Sequence, residues 1–397
     1  MTNTILWTKN FIAIIAANGL LFGSFHCLLP TLPLYAASLG ANGTEIGIIS
    51  GIFGISAIFI RLFTNVFVNK VGKKRCLYMG IFLCLIATIS FMVFTSIQSL
   101  MIARIIQGLG FGLGTTFAAA LAVDIIPASR RGEGVGYFGL GNTVSMGIAP
   151  ALGVALLTQW NAAYLFAFAA IAAVLAVGST RLCATQGTLS VPSVPPQRKS
   201  LSLRDRFFER GTAFPSFLTM LFGIAYGTVN SFIAMMANEA GIENAGLFFV
   251  MGTVFIFLSR TFGGRLYDAK GPFWVLLPGI ISYTAALAII LVAQSFLLLM
   301  TASVFYGLGA GLIMPSLMTW LFNSVSPDRR SNASATYYNM LDVGTSGGIM
   351  LLGTIAGTIG YVGMFRYVLA VMVLFLAAFL LYRFFKPAAY IQTIREN

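Results

Sequence analysis

Long apolar runs alternate with short polar breaks along almost the whole chain. The runs have the length that crosses a bilayer, about 20 residues. Twelve are read, at 11–34, 44–68, 76–95, 98–125, 133–157, 161–182, 213–236, 244–267, 273–294, 297–325, 331–358 and 363–385. Lipid offers the backbone no hydrogen-bond partner, so each run is expected as a helix rather than an open strand. The fold class is therefore an all-α membrane protein. The first run is too long for a signal peptide and is followed by no small-residue cleavage site, so it is expected to remain as the first helix.

The pattern also repeats. Gly108-Leu109-Gly110-Phe111-Gly112-Leu113 returns 199 residues later as Gly307-Leu308-Gly309-Ala310-Gly311-Leu312, Arg61 returns as Arg260, and Arg130-Arg131 as Arg329-Arg330. Two similar halves follow: an N-terminal six-helix bundle at 1–185, a linker at 186–210, and a C-terminal six-helix bundle with a short tail at 211–397. Paired halves in a membrane commonly enclose a substrate path. The linker loses hydrophobicity and gathers Pro192, Pro195 and Pro196 beside Arg198-Lys199. Such sequence cannot bury a core. Leu201 to Phe208, with Leu203, Phe207 and Phe208 among charges, suits a short interfacial helix.

Composition agrees with lipid as the solvent: 58% of residues are hydrophobic, 9% are charged and mean hydropathy is +0.89, against roughly 25% charged in a soluble domain. The formal net charge of +13 is distributed by side. Lys70, Lys73, Lys74, Arg75, Arg130, Arg131, Arg198, Lys199, Arg204, Arg206, Arg210, Arg265, Lys270, Arg329 and Arg330 fall in one set of loops. The opposite loops hold no Lys or Arg. By the positive-inside bias both termini are cytoplasmic, in a multi-pass protein of the cell (inner) membrane. The basic balance thus reads as topology, and no nucleic-acid partner is expected. Four cysteines lack metal-ligand spacing and read as small buried residues. A single histidine, no metal cluster and no phosphate-cradling loop with Lys and Ser/Thr exclude the common enzyme classes and direct ATP coupling. No cofactor and no metal site are expected.

Ionisable and polar groups inside the runs are the candidates for chemistry, because burying them in lipid is costly. Arg104 faces Ser303 in the repeat, so packing alone does not require its charge; it is a candidate for anchoring an anionic group or competing with a proton. Asp342, paired in the repeat with Thr143, lies near mid-depth and is a candidate proton or cation-substrate carrier; permanent pairing with an arginine is the alternative. His26 suits a proton relay, or a hydrogen-bonded packing role. Asp124, near the end of its run, is expected to face Arg130 or Arg131. Asn18, Phe22 and His26 share one face of the first helix, Tyr226 and Asn230 one face of the seventh. With Asn142 and Tyr338 they are expected to line the path, beside an adaptable wall of Met235, Met236 and Met340. Gly72 and Gly271 suit tight turns with positive φ. Gly108, Gly110 and Gly112 and their counterparts suit close helix packing. Gly147, Pro150 and Gly153 suit a bent fifth helix, with a packing or a hinge role.

Several of these stretches resemble one family. Asn65 to Arg75 is similar to the loop between helices two and three of the major facilitator superfamily, with Asn65 in place of its first Gly and Asn69 in place of its Asp. Gly264, Asp268 and Gly271 form the second copy, which keeps the acid. Arg104 to Gly110 resembles the fourth-helix motif of proton-coupled members, and Gly147 to Gly153 the fifth-helix motif of exporters, with Ala149 and Val154 replacing two glycines. The resemblance implies the major facilitator fold, two pseudo-symmetric six-helix bundles around a central cavity. It implies a functional monomer that moves a small molecule by alternating access, most simply a proton-coupled exporter of the drug–proton antiporter kind. The cargo would be a small amphipathic or zwitterionic drug or metabolite, a metal-chelating one included. The alternative is a facilitator or proton symporter that imports a small polar solute. The implied proton-coupling residues are Asp342, Arg104 and His26. The implied conformational set is Arg61, Asn69, Gly72, Gly147, Pro150, Gly153, Arg260, Gly264, Asp268 and Gly271.

Overall fold

A computed structural model describes residues 5–127, 130–183, 208–326 and 329–385. The expected linker helix at 201–208 and the C-terminal tail beyond 385 lie outside the described residues, as does the Asn69 side chain. The chain divides into two compact units, Met1–Ala41 with Ile48–Ser200, and Asn42–Gly47 with Leu201–Asn397.

In the first unit Thr8 caps α1 (Lys9–His26), its hydroxyl accepting the Phe11 amide at 3.2 Å. The expected run 11–34 is not one helix. It breaks over residues 27–30 and resumes as α2 (Thr31–Ser38), because Pro30 has no amide to continue the ladder. The run 44–68 likewise divides at Phe63 into α3 (Gly43–Leu62) and α4 (Thr64–Val71). Gly72 then turns at φ 82° into α5 (Lys73–Val93). Ser96 caps α6 (Ile97–Ile125) by accepting the Ser99 amide. α7 (Arg131–Ala155) contains Pro150 and continues as a π-turn at Leu156–Trp160, and Asn161 then caps α8 (Ala162–Leu182).

In the second unit the helices are α9 (Ala213–Glu239), α10 (Leu247–Lys270), α11 (Pro272–Val292), α12 (Phe296–Asn323) and α13 (Arg330–Phe385). Gly271 turns into α11 at φ 81° with Pro272 at its first position, where a missing amide costs nothing. The expected helices 331–358 and 363–385 adjoin directly within α13, which leaves helical geometry at Gly360 (φ 79°). Eleven segments among the described residues are long and apolar enough to span, the last of them holding two of the twelve expected runs.

The repeat is reproduced contact for contact. A Cβ at Gly108 would collide with the Phe53 carbonyl, and one at Gly307 with the Gly252 carbonyl. Gly110 presses on Gly80 and Cys84 as Gly309 presses on Gly279 and Tyr283. Helix backbones in lipid pack through this kind of contact. The first and fifth helices of each half follow a different register. Ser145 Oγ donates to the Gly19 carbonyl at 2.6 Å, and Thr345 Oγ1 donates to the Gly223 carbonyl at 3.2 Å. Ser145 and Thr345 are 200 apart, Gly19 and Gly223 204 apart. Asp342 therefore corresponds to Asn142, not to Thr143 as the constant spacing suggests, and Asn230 corresponds to His26.

Candidate functional site

The polar group of the first unit is built on α1, α3, α6 and α7. His26 ends α1, one residue before the chain breaks. Its Nε2 donates to Asn142 Oδ1 on α7 at 3.2 Å, which leaves Nδ1 as an acceptor, buried and with no hydrogen-bond partner. Phe22 stacks on the imidazole (centroids 5.7 Å) and meets Phe111 edge-on at 5.1 Å, and Asn18 is buried one turn earlier. Arg104 is only 1% exposed. Its Nε donates to the Ile49 carbonyl (3.0 Å), one terminal nitrogen to Gln107 Oε1 (2.7 Å) and the other to the Ser50 carbonyl (3.2 Å). The guanidinium also lies 4.6 Å from the Phe53 ring centre. A buried cation held wholly by neutral oxygens and a π-face is unusual, since burial is ordinarily offset by a carboxylate. Arg104 and His26 do not meet: Phe53 and Phe25, stacked at 4.4 Å, lie between them.

Position 303 repeats half of this arrangement. Ser303 Oγ donates to the Phe248 carbonyl at 2.5 Å, the counterpart of Arg104 reaching Ile49. The tether between the second and fourth helices of each half is thus kept, and the charge is what the first unit adds.

In the second unit Asn230, 3% exposed, donates through Nδ2 to the Tyr226 carbonyl (2.8 Å) and to the Tyr306 hydroxyl (2.9 Å). The Tyr226 and Tyr306 rings lie nearly parallel, 9° apart, with centroids at 6.3 Å. Tyr283 adjoins Tyr306 at 5.5 Å, and its buried hydroxyl has no hydrogen-bond partner. Tyr337 Oη donates to the Met314 carbonyl at 3.2 Å and its ring meets Tyr338 at 5.2 Å; Tyr338 is half exposed. Asp342, partly buried on α13, is within electrostatic reach of Tyr337. Arg260 reaches both Tyr226 and Tyr337 in the same way. The sequence treats Arg260 as a member of the conformational set at the cytoplasmic helix ends; the structure associates it with the tyrosines beside Asp342.

The other named positions are spread along the helix ends. Arg61 lies on α3 and is partly buried, Gly72 and Gly271 turn with positive φ, and Gly264 has open space where a Cβ would stand. Gly147 and Pro150 are buried on α7, where Gly153 packs against the Cys27 backbone. Asp268 is exposed and makes no ion pair among the described residues. Asp124 does not face Arg130: its partner is Lys73, at 2.6 Å. Arg130 instead closes a fork on Glu133, Nε and a terminal nitrogen each at 2.8 Å, and that hydrogen bonding pushes the arginine above its ordinary range. Met235 and Met236 are buried on α9. Gln107 is visible in the sequence as part of the fourth-helix motif, whereas Phe53, Tyr283, Tyr306 and Tyr337 escape the sequence reading because a lone aromatic in an apolar run has no periodic signature. The repeat offset alone points to Tyr306, which replaces Gln107.

Comparison with known proteins places this arrangement. The profile of the Major Facilitator Superfamily matches residues 14–210 and 215–396. The staphylopine export protein of Staphylococcus aureus is 24% identical over 365 residues, covering 87% of this chain and 89% of that protein. The quinolone resistance protein NorA of S. aureus is 22% identical over 348 residues, 85% of this chain and 87% of that one. Among solved structures, the inward-facing bacterial homologue of the human lysosomal transporter Spinster superposes with TM-score 0.78 at 13% identity, covering 98% of this chain and 99% of that one. A point variant of the nucleoside transporter NupG superposes with TM-score 0.76 at 14% identity, over 97% and 100% of the two chains. Family profile, fold and spanning helices agree: the chain belongs to the Major Facilitator Superfamily and is a multi-pass secondary transporter, not an enzyme.

Proposed function

We propose that this transporter is a proton-coupled exporter of a small amphipathic or zwitterionic molecule, a drug or a metabolite, a metal-chelating one included. The observation that carries the reading is Asp342. It occupies, in the register set by the Ser145 and Thr345 hydrogen bonds, the position where the first unit has Asn142. The repeat therefore packs with a neutral amide there, and the carboxylate answers to something other than packing. A carboxylate takes up and releases a proton, which an amide cannot do. An acid at mid-span among tyrosines is a functional group by default. Export is supported by the two relatives, one named for staphylopine export and one for quinolone resistance, each covering most of the chain. Mixed chemistry supports an amphipathic cargo: rings at Phe22, Phe111, Tyr226 and Tyr306, amides at Asn142 and Asn230, and charges of both signs at Arg260 and Asp342.

In this reading the halves 1–185 and 211–397 are the two moving bodies joined by the linker 186–210, and the protein works as a monomer. The cation-bearing loops and both termini are cytoplasmic. Binding energy that differs between the two conformations drives the exchange. The test is transport in sealed vesicles with an imposed pH gradient, acid on the side opposite the cytoplasmic face. Asp342→Asn keeps the size and hydrogen bonding of the side chain. It should retain binding at high cargo concentration yet lose accumulation against a gradient. Accumulation per folded molecule that stays at the wild-type level across pH would rule Asp342 out as the carrier.

A further inference from the structure

At the membrane-interface end of α10, α11 and α13, two cations and two aromatic rings form one continuous strip. The Lys270 ammonium lies 5.7 Å from the Trp274 ring centre. Trp274 meets Phe273 edge-on at 5.7 Å, and the Arg383 guanidinium lies 3.3 Å over the Phe273 ring. Trp274 is 53% exposed, and Lys270 and Arg383 are exposed too. α11 begins here with Pro272 at its first position and no side chain capping it.

Two cations of the equivalent turn in the first unit have polar partners, although Lys74 also lies 6.0 Å from the Tyr78 ring centre and Lys70 and Arg75 are exposed. Lys73 is neutralised by Asp124 at 2.6 Å, and Lys74 donates to the Cys183 carbonyl at 2.6 Å. Lys270 has no ion pair among the described residues, and neither does Asp268, two residues earlier and so on another face of the helix. What the strip offers is an exposed indole beside Lys270 and, one ring further, the exposed Arg383, at the ends of spanning helices. An indole settles at headgroup depth, and paired cations there attract anionic lipid. Charge complementarity selects one occupant.

We propose that the strip Lys270–Trp274–Phe273–Arg383 is a binding site for an anionic phospholipid, whose headgroup charge is drawn by Lys270 and Arg383 and whose glycerol and upper acyl chain lie against Trp274. Choline lipids, with a cation beyond the phosphate, fit it poorly.

Trp274 is itself the reporter. The full-length protein is reconstituted in bilayers containing brominated phosphatidylglycerol or brominated phosphatidylcholine at equal mole fraction. The Trp274 signal is the wild-type quenching minus that of Trp274→Phe. Each cation near an anionic surface contributes about five-fold. Trp274 should therefore prefer phosphatidylglycerol by roughly one to two orders of magnitude in apparent affinity, and Lys270→Gln with Arg383→Gln should abolish that preference. Lys73→Gln, in the first unit, should leave it unchanged. Equal quenching by the two lipids, in wild type or without response to the double substitution, would reduce Trp274 to an ordinary interfacial aromatic and overturn the site. Absence of quenching by either lipid would mean that a second copy or another protein covers the strip, and would overturn it as well.

Discussion

Arg104→Met separates what the guanidinium does for the fold from what it does for transport. The side chain makes three hydrogen bonds. Two end on the carbonyls of Ile49 and Ser50, inside α3, where each oxygen already accepts from its own helix. Losing Arg104 leaves those two satisfied. The third ends on Gln107 Oε1, which is buried and would be left without its donor, at a cost of about 1–3 kcal/mol. Against this, the variant no longer buries a charge that lacks a carboxylate, and methionine refills most of the volume. The net expectation is a loss at the lower end of that range, about 1 kcal/mol, and Arg104→Met with Gln107→Leu should recover most of it. Arg104→Ala should do worse, by about 2–5 kcal/mol, since it leaves a cavity as well. Thermal unfolding of purified protein in detergent ranks the three, and transport per folded molecule is then measured in vesicles. The double variant should be as stable as wild type yet fail to accumulate cargo. If it transports at the wild-type rate, the charge has no part in coupling. If Arg104→Met proves less stable than Arg104→Ala, the neutral-oxygen account of how the charge is held is wrong.

Gly108→Ala and Gly307→Ala each drive a methyl into a backbone carbonyl and should cost about 1–3 kcal/mol, whereas Gly139→Ala, whose Cβ meets nothing, should be neutral or stabilising by up to about 1 kcal/mol; melting temperatures compare them. Gly360→Ala combines a positive φ with a collision against the Glu239 carboxylate, which accepts the Tyr361 amide at 2.6 Å. It should destabilise by at least about 1–2 kcal/mol, and an unfolding midpoint equal to wild type would show that the break in α13 relaxes without strain.

The repeat is legible in sequence because it rests on glycines whose absent Cβ is the contact itself: Gly108 on Phe53, Gly307 on Gly252. Helical runs are equally legible, since lipid demands them. Their internal breaks are less so: Phe63 carries no breaker, and the kink there comes from tertiary fit rather than from local chemistry. The counterpart of Asp342 was hidden for a different reason. Spacing is constant at 199 over the second to fourth helices and slips to 200 and 204 elsewhere. No motif marks the slip, and only the Ser145–Gly19 and Thr345–Gly223 hydrogen bonds reveal it. Proximity in sequence misled the assignment of Asp124, because the Gly72 turn brings Lys73 to it while Glu133 satisfies Arg130 locally. Tyr283 carries no such clue at all, being one aromatic among the 13% of a chain that uses rings mostly for packing, and Tyr306 has only its repeat offset from Gln107.

Duplication gives this molecule an internal control. Where both halves keep a contact but differ in its chemistry, packing is already accounted for by the simpler partner. Ser303 shows that a hydroxyl suffices to tie the second and fourth helices together, so the cation of Arg104 is surplus to that tie. Asn142 shows that an amide suffices where Asp342 stands. Tyr306 and Gln107 occupy one register position, yet Gln107 receives a guanidinium and Tyr306 an amide. The surplus chemistry is thus a cation in one unit and an acid in the other, each on a helix whose backbone contacts are shared. Moving the acid is accordingly the sharpest perturbation. Asn142→Asp with Asp342→Asn moves the acid to the other half at nearly constant volume and unchanged net charge. Coupling should be lost although both side chains remain present, and gradient-driven accumulation at the wild-type level by this exchange variant would show that it is immaterial which half carries the acid.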